Sequence, residues 1–382
     1  MSAALGDALE TRRLVVFVGE GGVGKTSCAA ATGLAAAARG KHVAVLTIDP
    51  APRLGDALGL DRIDARPQVV ESTDAARAGG RLVAFRLDTE RTFDRVVERL
   101  APSEEAAAAI LANPLYRAIA GSLGGSDAYM ALQRLYELEE EGAYDLIVVD
   151  TPPAVHAHEL LSAPSRLAAL VETGASKILI NPALIIARAG STVARTTAAV
   201  LLPVLERVSG LALRSQIAEF IVEFEHVLQA LVERAKAVET VLADEGTAFV
   251  IVARPVDEGV GAALALEVSL AERGIGVEAI VANRLTPPSG RDRLVGREAR
   301  LAQAPAGTAE AVARMERDMD ARRAAEAKAV ARLRNDRTQR SAGTRPVIAV
   351  FALDHDLAQP SDLAQLARAL WEGEPADRRP AE

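Results

Sequence analysis

A glycine-rich run at residues 19–27 ends on a lysine, a threonine and a serine, a pattern suited to binding phosphate. Glycines let the backbone turn so that its N–H groups point at an anion, and the start of a following helix adds positive potential. Lys25 would neutralise β- and γ-phosphate oxygens, and Thr26 would ligate Mg²⁺. An apolar stretch precedes the run and an alanine-rich stretch follows it, so a glycine-rich turn with an incidental lysine is the weaker interpretation. The residues predicted to bind ATP and Mg²⁺ here are Gly19, Gly21, Gly22, Val23, Gly24, Lys25, Thr26 and Ser27.

Two aspartates follow predicted strands, at the edge where open α/β sheets bind ligands. Asp49 comes after a strand that ends at Thr47. A carboxylate at this place is suited to orienting the water that attacks a γ-phosphate, so Asp49 and Lys25 are predicted to be catalytic. Asp150 follows the apolar run at 146–149 and is suited to holding Mg²⁺ through water. Either aspartate alone is also typical of a helix cap or a turn, and only the combination with the loop favours a nucleotide site.

Short apolar runs with helical stretches between them must position these groups. They lie at residues 14–18, 43–47, 82–85, 146–149, 249–252, 277–281 and 347–351. Consecutive apolar positions are expected in parallel strands that helices cover on both faces. We therefore predict a doubly wound, mostly parallel α/β sheet of the P-loop type, formed by residues 1–88, 144–158 and 246–382. Helical periodicity predicts an inserted helical subdomain at 89–143 and 159–245, with its clearest helix at 217–242.

The composition excludes several classes of function. The chain has 382 residues and a net charge of −8, which argues against a nucleic-acid partner. Residues 291–345 carry 14 Lys and Arg against 8 Asp and Glu, typical of a solvated helix or, alternatively, of a contact surface for a partner. With no long uncharged apolar run and no charged-then-apolar leader, we expect a cytoplasmic protein without a transmembrane segment. The single cysteine, Cys28, excludes an internal disulfide and a multi-thiolate metal centre.

These motifs resemble the ArsA family of ATPases, which belongs to the deviant Walker A class of P-loop proteins. The resemblance rests on Gly-Gly-Val-Gly-Lys-Thr at 21–26, on Asp-Pro-Ala at 49–51, and on Tyr-Asp-Leu-Ile-Val-Val-Asp-Thr-Pro-Pro at 144–153. It implies that Asp49 is the switch I carboxylate, that Asp150 is the Mg²⁺-linked residue of switch II, and that Asn283 reads adenine after a strand ending at Val281. His156 either matches a switch II histidine or is a surface residue after the Pro-Pro turn. The resemblance also implies a dimer, and a client that is a protein or is associated with a membrane.

The chain departs from this family at Glu20, where the family has a lysine that reaches the nucleotide of the partner subunit. Two explanations stay open: a heterodimer with a paralogue that keeps the lysine, or a homodimer in which Arg53 supplies the cation. One cysteine cannot build an arsenite site or the family's zinc clasp. Apolar residues at 179–186 and 200–205 either line a groove for a membrane-protein client or form a buried helix pair.

The sequence as a whole predicts an ATP-binding, Mg²⁺-dependent ATPase whose nucleotide state is coupled to a client-binding helical subdomain. The alternative is a regulatory subunit that binds nucleotide and hydrolyses it weakly or not at all. Glu20 is the residue that keeps this alternative open, because a carboxylate close to triphosphate oxygens is unfavourable.

Overall fold

An eight-stranded sheet organises the computed structural model, which describes residues 5–113, 116–117, 126–152, 212–288, 303–305, 307–340, 346–353 and 360–372. The strands are β1 (Leu14–Val18), β2 (His42–Thr47), β3 (Gln68–Val70), β4 (Arg81–Arg86), β5 (Leu146–Asp150), β6 (Thr247–Ala253), β7 (Val277–Leu285) and β8 (Val347–Phe351). The described helices are α1 (Leu5–Leu9), α2 (Lys25–Ala37), α3 (Arg53–Leu58), α4 (Thr73–Arg77), α5 (Thr89–Leu100), α6 (Glu104–Ala112), α7 (Ser126–Glu141), α8 (Ala212–Ala243), α9 (Asp257–Ala271), α10 (Thr308–Arg340) and α11 (Pro360–Glu372).

The strand order across the sheet is β3-β4-β2-β5-β1-β6-β7-β8. All of these pairings are parallel except that of β3 with β4, and the seven predicted strands are all present, which confirms the doubly wound, mostly parallel sheet. The sequence pattern does not predict β3, because three residues are too few to show a period. Since β5 lies between β1 and β2, the loops that follow these three strands meet at one edge of the sheet.

Helices cover both faces of the sheet, which explains the consecutive apolar residues in its strands. Along β1, Val15 and Phe17 belong to the apolar core that also contains Cys28 of α2 and Trp371 of α11. Leu14, Val16 and Val18 point to the opposite core, which the helices from α5 to α10 share. All five residues of β1 are buried, so this strand gives the site a rigid base.

Helices α5 and α8 pack against each other through an aromatic cluster that also includes Tyr116. Phe93 stacks on Tyr116 with ring centroids 5.4 Å apart, and Phe224 meets both rings edge to face. The helix predicted at 217–242 is confirmed by α8, which buries Phe220 and Phe224. These side chains share one apolar core with the sheet. The division into an ATPase domain and an inserted subdomain stays a prediction.

All of α10 lies within the locally basic stretch at 291–345, and part of this helix is internal. Arg337 is 2% exposed, pairs with Glu267 at 2.8 Å, and donates to the carbonyls of Pro346 and Val277. The apolar residues at 179–186 and 200–205, and His156, lie outside the described residues. None of the helices described here is long and apolar enough to cross a membrane.

Candidate nucleotide-binding site

The predicted phosphate loop lies between β1 and α2, in the order strand, loop and helix. Gly24 precedes the first residue of α2 with φ of 97°, a left-handed conformation that glycine adopts without strain. A Cβ atom at this position would also collide with the side-chain amide of Asn283. Gly19 is packed closely too, because a Cβ there would meet the carbonyl of Val252. These two glycines therefore serve the close approach of the loop to β6 and β7.

Lys25 holds its charge within the loop. Its Nζ donates to the carbonyls of Gly19 at 3.0 Å and Glu20 at 2.8 Å, and the residue is only 7% exposed. Burial lowers the pKa of Lys25, and the nearby carboxylates of Asp150 and Asp49 oppose that shift. Glu20 thus accepts from Lys25 through its main-chain carbonyl, and its exposed carboxylate would offset the charge of the same lysine.

Asp150 is the buried centre of the polar groups beside the loop. Its Oδ2 accepts hydrogen bonds from Thr26 Oγ1 at 2.8 Å and Thr47 Oγ1 at 2.9 Å. The register of the sheet causes this contact, because Thr47 of β2 is paired with Asp150 of β5. Asp150 is 0% exposed, and burial raises its pKa to about 6. One feature of the sequence points to Thr47, because it places a hydroxyl at the end of an otherwise apolar strand. The prediction did not use this feature.

The donor set around Asp150 fits Mg²⁺. The Oδ1 atom of Asp150 is buried and has no hydrogen-bond partner among the described residues. A buried carboxylate oxygen without a donor is costly unless a cation or a water bound to a cation approaches it. Thr26, whose hydroxyl contacts the same carboxylate, is the second residue of α2. Mg²⁺ in nucleotide sites takes one or two such protein oxygens and completes its shell with water and phosphate.

Asp49 continues this polar chain towards solvent. Its main-chain N–H donates to Thr47 Oγ1 at 3.2 Å, which links it to the Asp150 group. Its Oδ1 accepts from the N–H of Ala51 at 2.9 Å, and its Oδ2 accepts from Arg53 Nη1 at 2.8 Å. Arg86 donates to the carbonyl of Pro50 at 3.2 Å and fixes the same loop from β4, a contact that sequence reasoning missed. Each carboxylate oxygen of Asp49 thus accepts one hydrogen bond and keeps a second lone pair with which it can accept from a water.

Asn283 lies inside β7, and the predicted end of that strand at Val281 is wrong. β7 continues to Leu285, because Leu285 still pairs with Phe351 of β8 after a shift in register. The Asn283 side-chain amide donates to the carbonyl of Val23 at 2.8 Å, and the residue is 6% exposed. Its amide therefore supports the phosphate loop in this structure. Adenine recognition by Asn283 stays a prediction.

The segment after Asn283 is fixed by α10. Glu326 accepts from the N–H of Thr286 at 2.6 Å and from its hydroxyl at 3.0 Å, and Arg323 donates to the carbonyl of Pro287 at 2.7 Å. Glu326 is 4% exposed. Sequence reasoning missed these residues because about 40 positions separate the partners and a helical Glu looks solvated.

The structure brings together the loop residues 19–27, Asp49, Asp150 and Asn283 at the edge formed by β1, β2, β5 and β7. This arrangement defines a P-loop nucleotide-binding fold of the α/β class. The sequence profile of the anion-transporting ATPase family, ArsA, matches residues 12–304. The chain belongs to this family, as the motifs indicated.

Individual proteins are also similar to this chain in sequence. An uncharacterized protein of Streptomyces coelicolor is 33% identical over 276 residues, covering 72% of this chain and 63% of that protein. A putative arsenical pump-driving ATPase of Halobacterium salinarum is 31% identical over 180 residues, covering 44% and 26%. The ATPase GET3C of Arabidopsis thaliana is 26% identical over 302 residues, covering 75% and 70%. The match thus spans less than two thirds of the Streptomyces and Halobacterium proteins.

Proposed function

We propose that this chain is an ATP-binding, Mg²⁺-dependent ATPase. The observation that carries the proposal is the buried Asp150 carboxylate, which receives the Thr26 and Thr47 hydroxyls on one oxygen and leaves the other without a donor among the described residues. That group stands beside a lysine held in a glycine loop, which is the arrangement that phosphoryl transfer requires. Two of the named relatives are ATPases by their names, in agreement with this activity.

The residues divide the work in the following way. The loop amides and Lys25 bind the β- and γ-phosphates, and Thr26 and Asp150 hold Mg²⁺, Asp150 through water. Mg²⁺ bound there would spread the negative charge of the phosphates. Asp49 would orient the attacking water with a remaining lone pair of its carboxylate, whose oxygens also accept from Ala51 and Arg53. Asn283 keeps the loop in place through Val23 and contributes to adenine recognition.

We propose further that nucleotide state is coupled to the helices α5 to α8 and that these engage a protein or a membrane-associated client. The support is continuity: α5 follows β4, whose Arg86 holds the Pro50 carbonyl next to Asp49. Family resemblance supports a dimer, either of this chain or with a paralogue, and a cytoplasmic location. These statements extend the ATPase proposal and depend on it.

Mg²⁺-dependent release of phosphate from ATP tests the ATPase proposal directly. The purified chain is compared with Lys25→Ala, which removes the loop cation, and with Lys328→Ala, which removes an exposed lysine of α10. We expect release by the unaltered chain and by Lys328→Ala, and a loss of at least about 100-fold in Lys25→Ala, because transition-state charge is then uncompensated. Equal release by all three proteins would refute the proposal.

The alternative, a nucleotide-binding regulatory subunit, is favoured by a specific observation. Both oxygens of Asp49 are engaged, by Ala51 and Arg53, and the loop carries the exposed carboxylate of Glu20. A regulatory subunit would bind ATP with Lys25-dependent affinity and release no phosphate above the Lys25→Ala level. If a lysine-bearing paralogue then restored turnover in a mixture, a heterodimer with this chain would follow.

A further inference from the structure

Arg53 stands at the outer end of a continuous hydrogen-bonded chain that begins at Thr26. The chain runs from the Thr26 hydroxyl to Asp150, from Asp150 to the Thr47 hydroxyl, from Thr47 to the Asp49 main chain, and from the Asp49 carboxylate to Arg53. The Arg53 side chain is 64% exposed, whereas that of Asp49 is 15% exposed. The Arg53 side chain is therefore held by its contact with Asp49 while most of its surface faces solvent.

The Arg53 guanidinium lies close enough to the phosphate loop to affect Lys25. Four charged neighbours shift the pKa of Lys25: the carboxylates of Asp150, Asp49 and Glu20 raise it, and the Arg53 guanidinium lowers it. Of these four neighbours, Arg53 alone is a cation. Lys25 itself donates to the carbonyls of Gly19 and Glu20, so it is turned towards the inside of the loop. Arg53 is thus the outer cation beside a set of three carboxylates.

We propose that Arg53 binds the terminal phosphate of a bound nucleoside triphosphate, exchanging the Asp49 carboxylate for γ-phosphate oxygens. This inference rests on the proposed function and deepens it by naming the residue that distinguishes a triphosphate from a diphosphate. A guanidinium forms charge-assisted hydrogen bonds with phosphate as well as with carboxylate, so the exchange replaces one strong contact by another. It also removes the Arg53 hydrogen bond and positive charge from Oδ2 of Asp49, which makes that oxygen a better acceptor for water, while Oδ1 stays on the Ala51 N–H. Triphosphate binding and water orientation then become one event.

Nucleotide affinities, measured without hydrolysis, test this exchange. Fluorescence titrations of the full chain with Mg²⁺ use methylanthraniloyl-labelled ADP and the labelled, non-hydrolysable imido analogue of ATP. For Arg53→Gln we expect the affinity for the triphosphate analogue to fall about tenfold, equal to about 1.4 kcal/mol, and that for ADP to change by less than about twofold. Arg53→Lys keeps the charge, so its affinity for the triphosphate analogue should lie between those of the unaltered chain and Arg53→Gln. Arg62→Gln removes the same charge from an exposed position without a contact to Asp49, and should behave like the unaltered chain.

A double-mutant cycle with Asp49→Asn separates direct phosphate binding from simple neutralisation of Asp49. If Arg53 contacts the γ-phosphate, Asp49→Asn alone tightens the triphosphate analogue, and Arg53→Gln still weakens it about tenfold in that background. If Arg53 only neutralises Asp49, the loss disappears in the Asp49→Asn background. That disappearance, or an equal loss for ADP and the triphosphate analogue, would overturn the inference.

The outcomes also distinguish this inference from the ATPase proposal. A chain that binds the triphosphate analogue through Arg53 and releases no phosphate would contradict the ATPase proposal and keep the inference. If the unaltered chain and Arg53→Gln hydrolyse ATP at the same rate and bind the triphosphate analogue with the same affinity, the ATPase proposal is kept and the inference is contradicted. A chain that binds neither nucleotide would contradict both.

Discussion

Replacing Asp150 by asparagine should stabilise the chain in the absence of nucleotide and metal. Burial raises the pKa of Asp150 to about 6 from an ordinary value of 3.8, so the folded chain binds this proton more tightly than the unfolded chain does. At pH 7.5 the difference corresponds to about 3 kcal/mol of stability that the ionised carboxylate removes. Asparagine stays neutral and can still accept from the hydroxyls of Thr26 and Thr47, so it avoids most of that penalty.

The sign of the pH dependence follows from the same pKa values. As pH falls through 6, Asp150 becomes protonated in the folded chain first, and at pH 5.0 the penalty is about half of its value at pH 7.5. The advantage of Asp150→Asn should therefore shrink by roughly half between these two pH values. An unpaired asparagine amide beside the former Oδ1 costs about 1 kcal/mol at either pH, so the change with pH is the cleaner quantity.

Urea unfolding followed by circular dichroism, at pH 7.5 and 5.0 with EDTA, measures this change. Asp61→Asn, which removes a carboxylate from an exposed position, is the control, and its effect should differ little between the two pH values. With Mg²⁺ and ATP analogue present, the order should reverse because only the unaltered chain gains binding energy. The reasoning would be refuted by an unaltered chain that is the more stable one at pH 7.5 without ligand, or by a stability difference that grows as the pH falls.

Two further predictions concern the loop and α2. Gly24→Ala should weaken binding of the labelled ADP by at least about tenfold, because φ of 97° and the Asn283 amide both exclude a Cβ. Adding Asn283→Ala to the same chain should restore part of the affinity. No restoration would show that the backbone conformation alone causes the loss. Cys28 is 0% exposed and burial raises the pKa of its thiol to about 12, so iodoacetamide at pH 8 should leave the folded chain unmodified by mass spectrometry and modify it in urea; rapid modification without urea would contradict the burial.

Features encoded by neighbouring residues could be predicted from the sequence. The phosphate loop, Asp49 and Asp150 are recognisable because the glycines, the lysine and the strand-ending aspartates are each close in sequence to the strand that positions them. The sheet was predictable for a similar reason, since strands buried on both faces are apolar at successive positions. The edge strand β3 is the exception, because its three residues carry no period.

Features that depend on distant partners could not be predicted. Thr47 contacts Asp150 across 103 positions, and only the register of β2 with β5 brings the two together. The amide of Asn283 contacts the phosphate loop, 260 positions away, a contact that the sequence does not reveal, and its role in adenine recognition stays a prediction. The prediction ended β7 too early because Asn283 and Arg284 are polar, although β8 continues to pair with Leu285. Glu326 is a helical glutamate whose partner, Thr286, only the packing of α10 reveals.

The position of Asp150 determines how the loops around it can act together. β5 lies between β1 and β2, so Asp150 at its end reaches Thr26 after β1 and Thr47 at the end of β2 with one carboxylate oxygen. A shift of the Asp49 loop must therefore change a hydrogen bond at the proposed Mg²⁺ site, and a ligand at that site must act on the Asp49 loop in return. In the exchange proposed above, the Arg53 contact links the two, because Arg53 leaves Oδ2 of Asp49 when it binds the γ-phosphate. Affinity for the triphosphate tests whether Arg53 leaves Asp49 before any hydrolysis occurs, and phosphate release then distinguishes an ATPase from a regulatory subunit.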